Sequence, residues 1–354
     1  MNNVLDSENL FEQISRPVHL FKAWDEFKKG KGNKPDVLQF EQNLERNIFQ
    51  LHRDLRDKTY VHEEYKGFFI SDPKRRHIHK ASVRDRVLHH AIFKALNPIF
   101  EPTFIATSFS CRIGKGTHKG VAAVEHMIRQ ESKNYTHTCY ALKCDVKKFF
   151  DSIDHEILLS MLARKIRSTN TMWLLQKVIG GYRSKSENEC ARGVPIGNLT
   201  SQLFANIYLG ELDHYMKHTL KVKKHVRYTD DFMVVSQDSS YLTNLLTPIK
   251  DFLRQELKLE LHPEKVMIRK AIRGIDFLGY VIFPHHILLR KRTKRRIERK
   301  LCEKALLCKS ENLPKESFMQ SWNSYCGVLS HANTHKLLIK WKQRYQIQLY
   351  VKND

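Results

Sequence analysis

Apolar residues recur at helical spacing through the first sixty positions. Leu38, Phe40, Leu44, Ile48, Phe49, Leu51 and Leu55 predict amphipathic helices, interrupted by a polar, Gly-containing loop over 28–36. The period then shortens. Tyr60-Val61-His62 and Gly67-Phe68-Phe69-Ile70-Ser71 read as strand pieces, followed by a turn at Asp72-Pro73 and a basic segment from Lys74 to Lys80. A helix is predicted from Arg84 to Leu96, stopping before Pro98, which has no N–H to donate and crowds the preceding turn. After a Gly/Ser/Lys loop over 108–120, a helix covers Val121 to Gln130. Tyr140 to Val146 is a short apolar strand that ends in an acid, Asp145, and His155 to Ile166 is a helix. Gly193-Val194-Pro195-Ile196-Gly197 opens a helix from Ser201 to His218. Lys223–Arg227 and Phe232–Val235 read as two strands joined by the tight turn Tyr228-Thr229-Asp230-Asp231. Leu242 to Leu257 is predicted helical, Phe277 to Ile282 a strand, and 290–350 helix-rich. Strands alternating with longer helices predict an α+β or α/β core with a helical C-terminal appendage, and no internal repeat is present.

Charge narrows the partners. The chain has 354 residues, room for two or three subdomains around a substantial core, and a net charge of +23. Such an excess suits nucleic acid or an anionic membrane. No apolar run approaches a membrane span, and Met1-Asn2-Asn3-Val4-Leu5-Asp6 has no signal- or transit-peptide character, so nucleic acid is the expected partner and no membrane is. Seven cysteines are scattered at 111, 139, 144, 190, 302, 308 and 326 without a C-x-x-C pair. A disulfide framework or zinc site is not expected, and a reducing cytoplasm is. The nineteen histidines include adjacent pairs but no H-E-x-x-H, so a histidine metal site is not expected either.

The chemistry lies in the acids. Adjacent carboxylates at a strand turn repel each other, and a half-buried site tolerates them only beside a neutralising cation. With Asp145, Asp230 and Asp231 at strand ends, the chain has the ligands for two Mg²⁺ ions and in-line attack at phosphorus. Phe150, five residues after Asp145, is placed to press on the sugar of an incoming nucleotide and exclude a 2′-hydroxyl, while one of Phe149 and Phe150 belongs to the core. The Gly-bounded loop 193–197 gives a flat ligand close access to backbone. Lys265, in Leu259-Glu260-Leu261-His262-Pro263-Glu264-Lys265, is a candidate acid or clamp for pyrophosphate, against a plain surface lysine. Among residues 74–86, Arg76 is the best candidate for the triphosphate, through the bidentate fork of its guanidinium. Gly114-Lys115-Gly116 lacks the spacing of a P-loop. In Arg290–Lys300 eight of eleven residues are cationic, and Ile297, Leu301 and Ala305 follow at helical spacing, so Arg290, Lys291, Arg292, Lys294, Arg295 and Arg296 are assigned to a helix that tracks a nucleic-acid backbone.

The order of these motifs, a basic Arg segment, D-x-x-x-x-F, a Gly-bounded loop and helix, Y-x-D-D, a lysine motif and F-L-G-Y, resembles the reverse transcriptases. The resemblance covers about 70–285 plus the basic helical end. It implies an α+β right-hand polymerase with an antiparallel palm sheet: an N-terminal helical extension over 1–60, fingers over 61–140 with part of 155–192, a palm over 141–285 and a helical basic thumb over 286–354. It implies RNA-templated DNA synthesis from dNTPs on a primer, with a cDNA product. Two Mg²⁺ ions (Mn²⁺ as substitute) would be held by Asp145, Asp230, Asp231 and the Val146 backbone, with Ile196, Gly197 and Gln202 beside the nucleotide. Ile196-Gly197-Asn198-Leu199-Thr200-Ser201-Gln202, where most members carry Gln-Gly-x-x-x-Ser-Pro, and Ser324-Tyr325-Cys326-Gly327 through Thr334 look like the enzymes of diversity-generating retroelements. That likeness implies a dedicated template RNA and a small basic helical accessory protein. Stand-alone bacterial phage-defence enzymes that copy a structured non-coding RNA are the alternative, a silent RNA-binding protein is a further rival, and an oligomer is compatible with each. Thr229 departs from the usual Met, Ala or Val of Y-x-D-D, and an RNase H, endonuclease or integrase domain after the basic end is not expected. The assignment requires the three acids to converge beside a sheet, with no cationic side chain plugging the space between them.

Overall fold

The computed structural model describes residues 7–72, 74–182, 184 and 192–345; the predicted turn residue Pro73, Cys190 and positions 346–354 lie outside these. Four helices come first: α1 (Ser7–Ser15), α2 (Pro17–Lys28), α3 (Pro35–Glu41) and α4 (Leu44–Arg56). Prolines open α2 and α3, where a missing N–H costs nothing. A hairpin, β1 (Lys66–Ile70) and β2 (Arg76–Lys80), leads to α5 (Val83–Phe100) and α6 (Thr117–Glu131). Then come β3 (Tyr140–Asp145), α7 (Phe149–Ser152), α8 (His155–Ala163), α9 (Thr169–Gly180), α10 (Leu199–His214), β4 (His225–Tyr228) and β5 (Asp231–Ser236). After α11 (Ser239–Asn244) and α12 (Leu246–Glu256), β6 (Met267–Lys270) closes a four-stranded antiparallel sheet in the order β4-β5-β3-β6. A second antiparallel sheet, β7 (Ile275–Phe277), β8 (Tyr280–Phe283) and β9 (His286–Leu289), precedes α13 (Lys291–Lys309), α14 (Lys315–Leu329) and α15 (His335–Arg344).

The period of two in the central strands explains the layering. Leu142, Cys144, Phe232 and Val234 face one core, shared with α1, α2, α4, α5 and α8–α10. Ala141, Val226, Met233 and Val235 face a second core, shared with α6, the β7–β9 sheet and α13–α15. Both faces of the sheet are therefore covered, and its strands read as continuous apolar runs. The first helices are part of the first core, and the turn between β8 and β9, near 285, lies inside one sheet.

Several predicted elements shift, each for a tertiary reason. Tyr60–His62 is not a strand: Tyr60 is buried and its hydroxyl donates to Asp85 Oδ1 at 2.7 Å. Helix α5 continues through Pro98, because Ala95, Leu96 and Phe100 are buried on one side while Lys94, whose carbonyl loses its partner, is exposed. Helix α6 begins at Thr117, α8 stops at Ala163, α10 begins at Leu199 and passes into a π-turn over Tyr215–Thr219, and the predicted helix from Leu242 divides at Leu245. Phe277–Ile282 is a hairpin, turned at Leu278 (φ 50°) and Gly279 (φ 91°). Two successive positive-φ residues suit the twist of a two-residue hairpin, and Leu278 holds its position by packing over Gly120.

Candidate active site

The sheet register brings the acids together. Asp145, last in β3, pairs across from Asp231, first in β5, and Tyr228 pairs with Asp231 to close the turn containing Asp230. Val146 N–H donates to the Asp230 carbonyl at 3.2 Å, and His262 N–H donates to the Asp145 carbonyl at 2.8 Å. Asp230 and Asp231 are half-buried. Burial and the neighbouring Asp145 charge raise the Asp230 carboxyl above its usual range, with Lys265 and Arg76 opposing. Burial pushes Asp231 up to about 6, against the pull of Lys143.

The requirement that no cation enter the space between the acids is not met. Lys265 Nζ donates to Asp145 Oδ1 at 2.7 Å, and Lys143 Nζ lies 3.2 Å from Asp231 Oδ2. Among the described residues no three acid, imidazole or thiol groups form a ready metal cage. The physical reason is mutual repulsion of the carboxylates, which draws in the nearest ammonium groups. Lys265 is within reach because Val146 bridges Leu261, which delivers the 3₁₀ turn Pro263–Lys265 to the end of β3. The ammonium group predicted to meet a pyrophosphate is thus bonded to Asp145 in this structure. The donor set nevertheless fits a hard divalent cation. It is all oxygen, Asp231 Oδ1 is buried with no hydrogen-bond partner, and the Lys265 side chain is 41% exposed, free to swing aside.

Of the predicted nucleotide-binding residues, Arg76 reaches this cluster by its charge, and Ile196, Gly197 and Phe150 are tied together through the Gly-bounded loop and β2. Arg76 begins β2, near enough for its charge to act on Asp230. The Ile196 carbonyl accepts from His79 N–H at 3.4 Å, which docks the β1–β2 hairpin on the Gly-bounded loop. Gly197 (φ 113°) lets the loop pass Ile78, whose Cγ2 would lie 3.2 Å from an added Cβ. Val194 N–H donates to the Phe150 carbonyl at 2.8 Å, tying Phe150 to the same loop. Phe149 is the core residue of the pair (2% exposed), Phe150 is half-buried against it, and Gln202 is half-buried in the first turn of α10.

A cleft of about 1680 Å³ leads from Asp231 to α13. Arg290, Lys291, Arg292, Arg295 and Arg296 line it, joined by Arg299, Lys74, Lys115 and Lys119. Lys294 does not line it: the helical rotation turns that side chain to another exposed face of α13. Arg296 and Lys300 also pair with Asp72 beside β1, so part of the basic helix is neutralised within the chain.

Sequence reasoning passed over Lys143 and the support beneath the turn. Arg227 (0% exposed) pairs with Asp213 of α10 at 2.7 Å. The available signal was its alternation: Arg227 sits two residues from His225 and opposite in phase to Val226, on a strand facing helix α10.

With this geometry, similarity to known proteins becomes decisive. The family model described as reverse transcriptase (RNA-dependent DNA polymerase) matches residues 71–282, more than half the chain. The chain belongs to the reverse transcriptase family. Among curated proteins it is 26% identical to Protein YkfC of Escherichia coli (strain K12), over 63% of this chain and 66% of that protein. It is 23% identical to the group II intron-encoded protein LtrA of Lactococcus lactis subsp. cremoris, over 77% of this chain and 56% of that protein. The chain thus spans less than two thirds of the length of these relatives. The structure of telomerase from Candida albicans in complex with a fragment of telomeric RNA aligns with TM-score 0.50 at 13% identity, over 83% of this chain and 56% of that one. This likeness concerns the fold alone, the right-hand arrangement of a reverse transcriptase, and the mixed helical and antiparallel architecture agrees with it.

Proposed function

We propose that this reverse transcriptase extends a primer 3′-hydroxyl with deoxynucleotides on an RNA template. The observation that carries the reading is Asp145 facing Asp231 across β3 and β5, with Asp230 in the β4–β5 turn. Divalent cations, two Mg²⁺ or Mn²⁺ in their place, would be held by these carboxylates and the Val146 backbone, and would supply activation of the hydroxyl and neutralisation of charge at phosphorus. Arg76 meets the triphosphate from β2. Lys265, released from Asp145, carries its charge to the pyrophosphate. Phe150, with Ile196, Gly197 and Gln202 nearby, bounds the sugar and base. The cations of α13 hold template RNA, primer and cDNA along the cleft. In this reading 61–140 with part of 155–192 forms the fingers, 141–285 the palm and 286–354 the thumb, beside the helical 1–60.

The test is labelled dNTP incorporation on primed RNA, with and without Mg²⁺, beside Asp230→Asn. Incorporation that needs both Mg²⁺ and Asp230 supports the reading; none by the wild type on several primers favours an RNA binder. In the same assay Phe150→Ala admits ribonucleotides, with discrimination falling about 10-fold or more; unchanged discrimination removes Phe150 from the sugar gate.

The finer assignment is to a diversity-generating retroelement, in the cytoplasm and with a small basic helical partner. The Ile196–Gln202 loop supports it, placed as it is against the β1–β2 hairpin. Sequencing the RNA that co-purifies decides it. A template matching a variable gene supports diversification, whereas a compact structured transcript indicates the phage-defence alternative.

A further inference from the structure

Thr229 is the residue that departs from the usual Y-x-D-D, and it is also the strained one. Its φ of 54° lies in the left-handed region, where a β-branched residue is an outlier. Such strain persists only where the surroundings over-determine it. Here they do. Thr229 Oγ1 donates to Ser110 Oγ at 2.6 Å. The Thr229 carbonyl, which belongs to the peptide leading into Asp230, accepts from Arg227 Nη1 at 3.1 Å. The same Nη1 donates to Asn206 Oδ1 at 3.3 Å, and Asn206 Nδ2 donates to the Ser110 carbonyl at 2.9 Å. Arg227, Asn206, Ser110 and Thr229 therefore form a closed ring of hydrogen bonds under the turn.

The ring is buried and anchored. Arg227, Asp213, Asn206 and Ser110 are each no more than 2% exposed. Arg227 Nε donates to both Asp213 oxygens, at 2.8 and 3.0 Å. Its backbone is clamped as well: its N–H donates to the Thr107 carbonyl at 3.0 Å, and its carbonyl accepts from Phe109 N–H at 2.9 Å. A buried ion pair is a poor route to stability, since well-packed apolar residues do as well or better. What this one provides is a fixed plane for the 229–230 peptide, and with it the direction of the Asp230 side chain.

We infer that the Ser110–Thr229 hydroxyl pair, locked by Asn206 and Arg227, is a positioning device that aims Asp230 for divalent-cation binding. Ser110 and Thr229 touch neither nucleotide nor metal in this role; they act through Asp230, as outer-shell groups act on metal ligands. The inference rests on the polymerase reading for its consequence in catalysis, but metal binding tests it separately.

The experiment measures Mn²⁺ binding to the full chain by electron paramagnetic resonance, together with the Mg²⁺ dependence of dNTP incorporation, for Thr229→Ala, Thr229→Ser, Ser110→Ala and the Thr229→Ala/Ser110→Ala double variant. Thermal unfolding is followed for each. The expected result is about 10-fold weaker Mn²⁺ binding in both alanine variants, a matching rise in the Mg²⁺ needed for half-maximal rate, and recovery in Thr229→Ser. The double variant is no worse than either single one, because both break the same bond. RNA affinity and melting temperature stay close to wild type. Unchanged Mn²⁺ binding and Mg²⁺ dependence in Thr229→Ala overturns the inference, as does failure of Thr229→Ser to recover them. Should Thr229→Ala unfold, the same reading is taken from Ser110→Ala, whose side chain lies outside the turn. Weakened Mn²⁺ binding in the alanine variants, beside a wild type that incorporates no nucleotide, would leave the positioning intact and remove the polymerase reading instead.

Discussion

Asp213, fully buried, and Asp231, half-buried at the start of β5, are provided for in opposite ways. Asp213 faces the Arg227 guanidinium on both oxygens, with His225 Nε2 3.4 Å away. Asp231 has Lys143 on one oxygen, nothing on the other, and a carboxyl raised to about 6 by burial. The first acid has a permanent cation built into the fold. The second is left short of a partner, as an acid must be if it is to bind one that comes and goes. A buried polar atom without a partner calls for an explanation, and beside two other carboxylates the explanation is a functional one.

The same substitution at the two positions breaks or sharpens this contrast. Asp231→Asn should reduce nucleotide incorporation on the order of 10³-fold, about 4 kcal/mol of barrier, while the metal-free protein melts no lower than wild type. Asp213→Asn should do the reverse. It leaves Arg227 buried without its countercharge and costs about 3–5 kcal/mol in urea unfolding. If Asp213→Asn unfolds like wild type and Asp231→Asn is the destabilised one, the contrast is wrong.

Smaller effects test its edges. Arg295→Ala, in the cleft, should lower the salt slope of RNA binding by about one, whereas Lys294→Ala, on another face of α13, should leave it unchanged. Equal slopes would mean that the cleft does not hold the nucleic acid. The pH dependence is the mildest. Asp231 binds its proton more tightly folded than unfolded, so its contribution to stability is complete below the ordinary carboxyl range and is lost as pH rises through about 6. Metal-free wild type should therefore lose stability between about pH 4 and 6 relative to Asp231→Asn, in paired urea titrations. Parallel curves would show that burial does not shift this carboxyl.

Much of this was legible along the chain. The apolar run Phe232–Val235 and the acid ending Tyr140–Asp145 specify strands whose ends carry carboxylates, because a short apolar run and a tight turn are local properties. The cationic face of α13 follows in the same way from helical spacing. Other features depend on distant partners. Pro98 stays within a helix because its neighbours are buried, and Phe277–Ile282 folds back because Leu278 packs over Gly120. Lys265 settles on Asp145 only because a strand bridge at Leu261 carries it there. The ring under Thr229 joins residues more than a hundred positions apart, so no local pattern announces it. Sequence by itself determined the family's order of motifs and where the acidic and basic groups fall along the strands and helices, since charge and periodicity are written residue by residue. Tertiary structure alone decided which of the buried charges are satisfied, because a hydrogen bond or an ion pair depends on distances that only the packed chain defines.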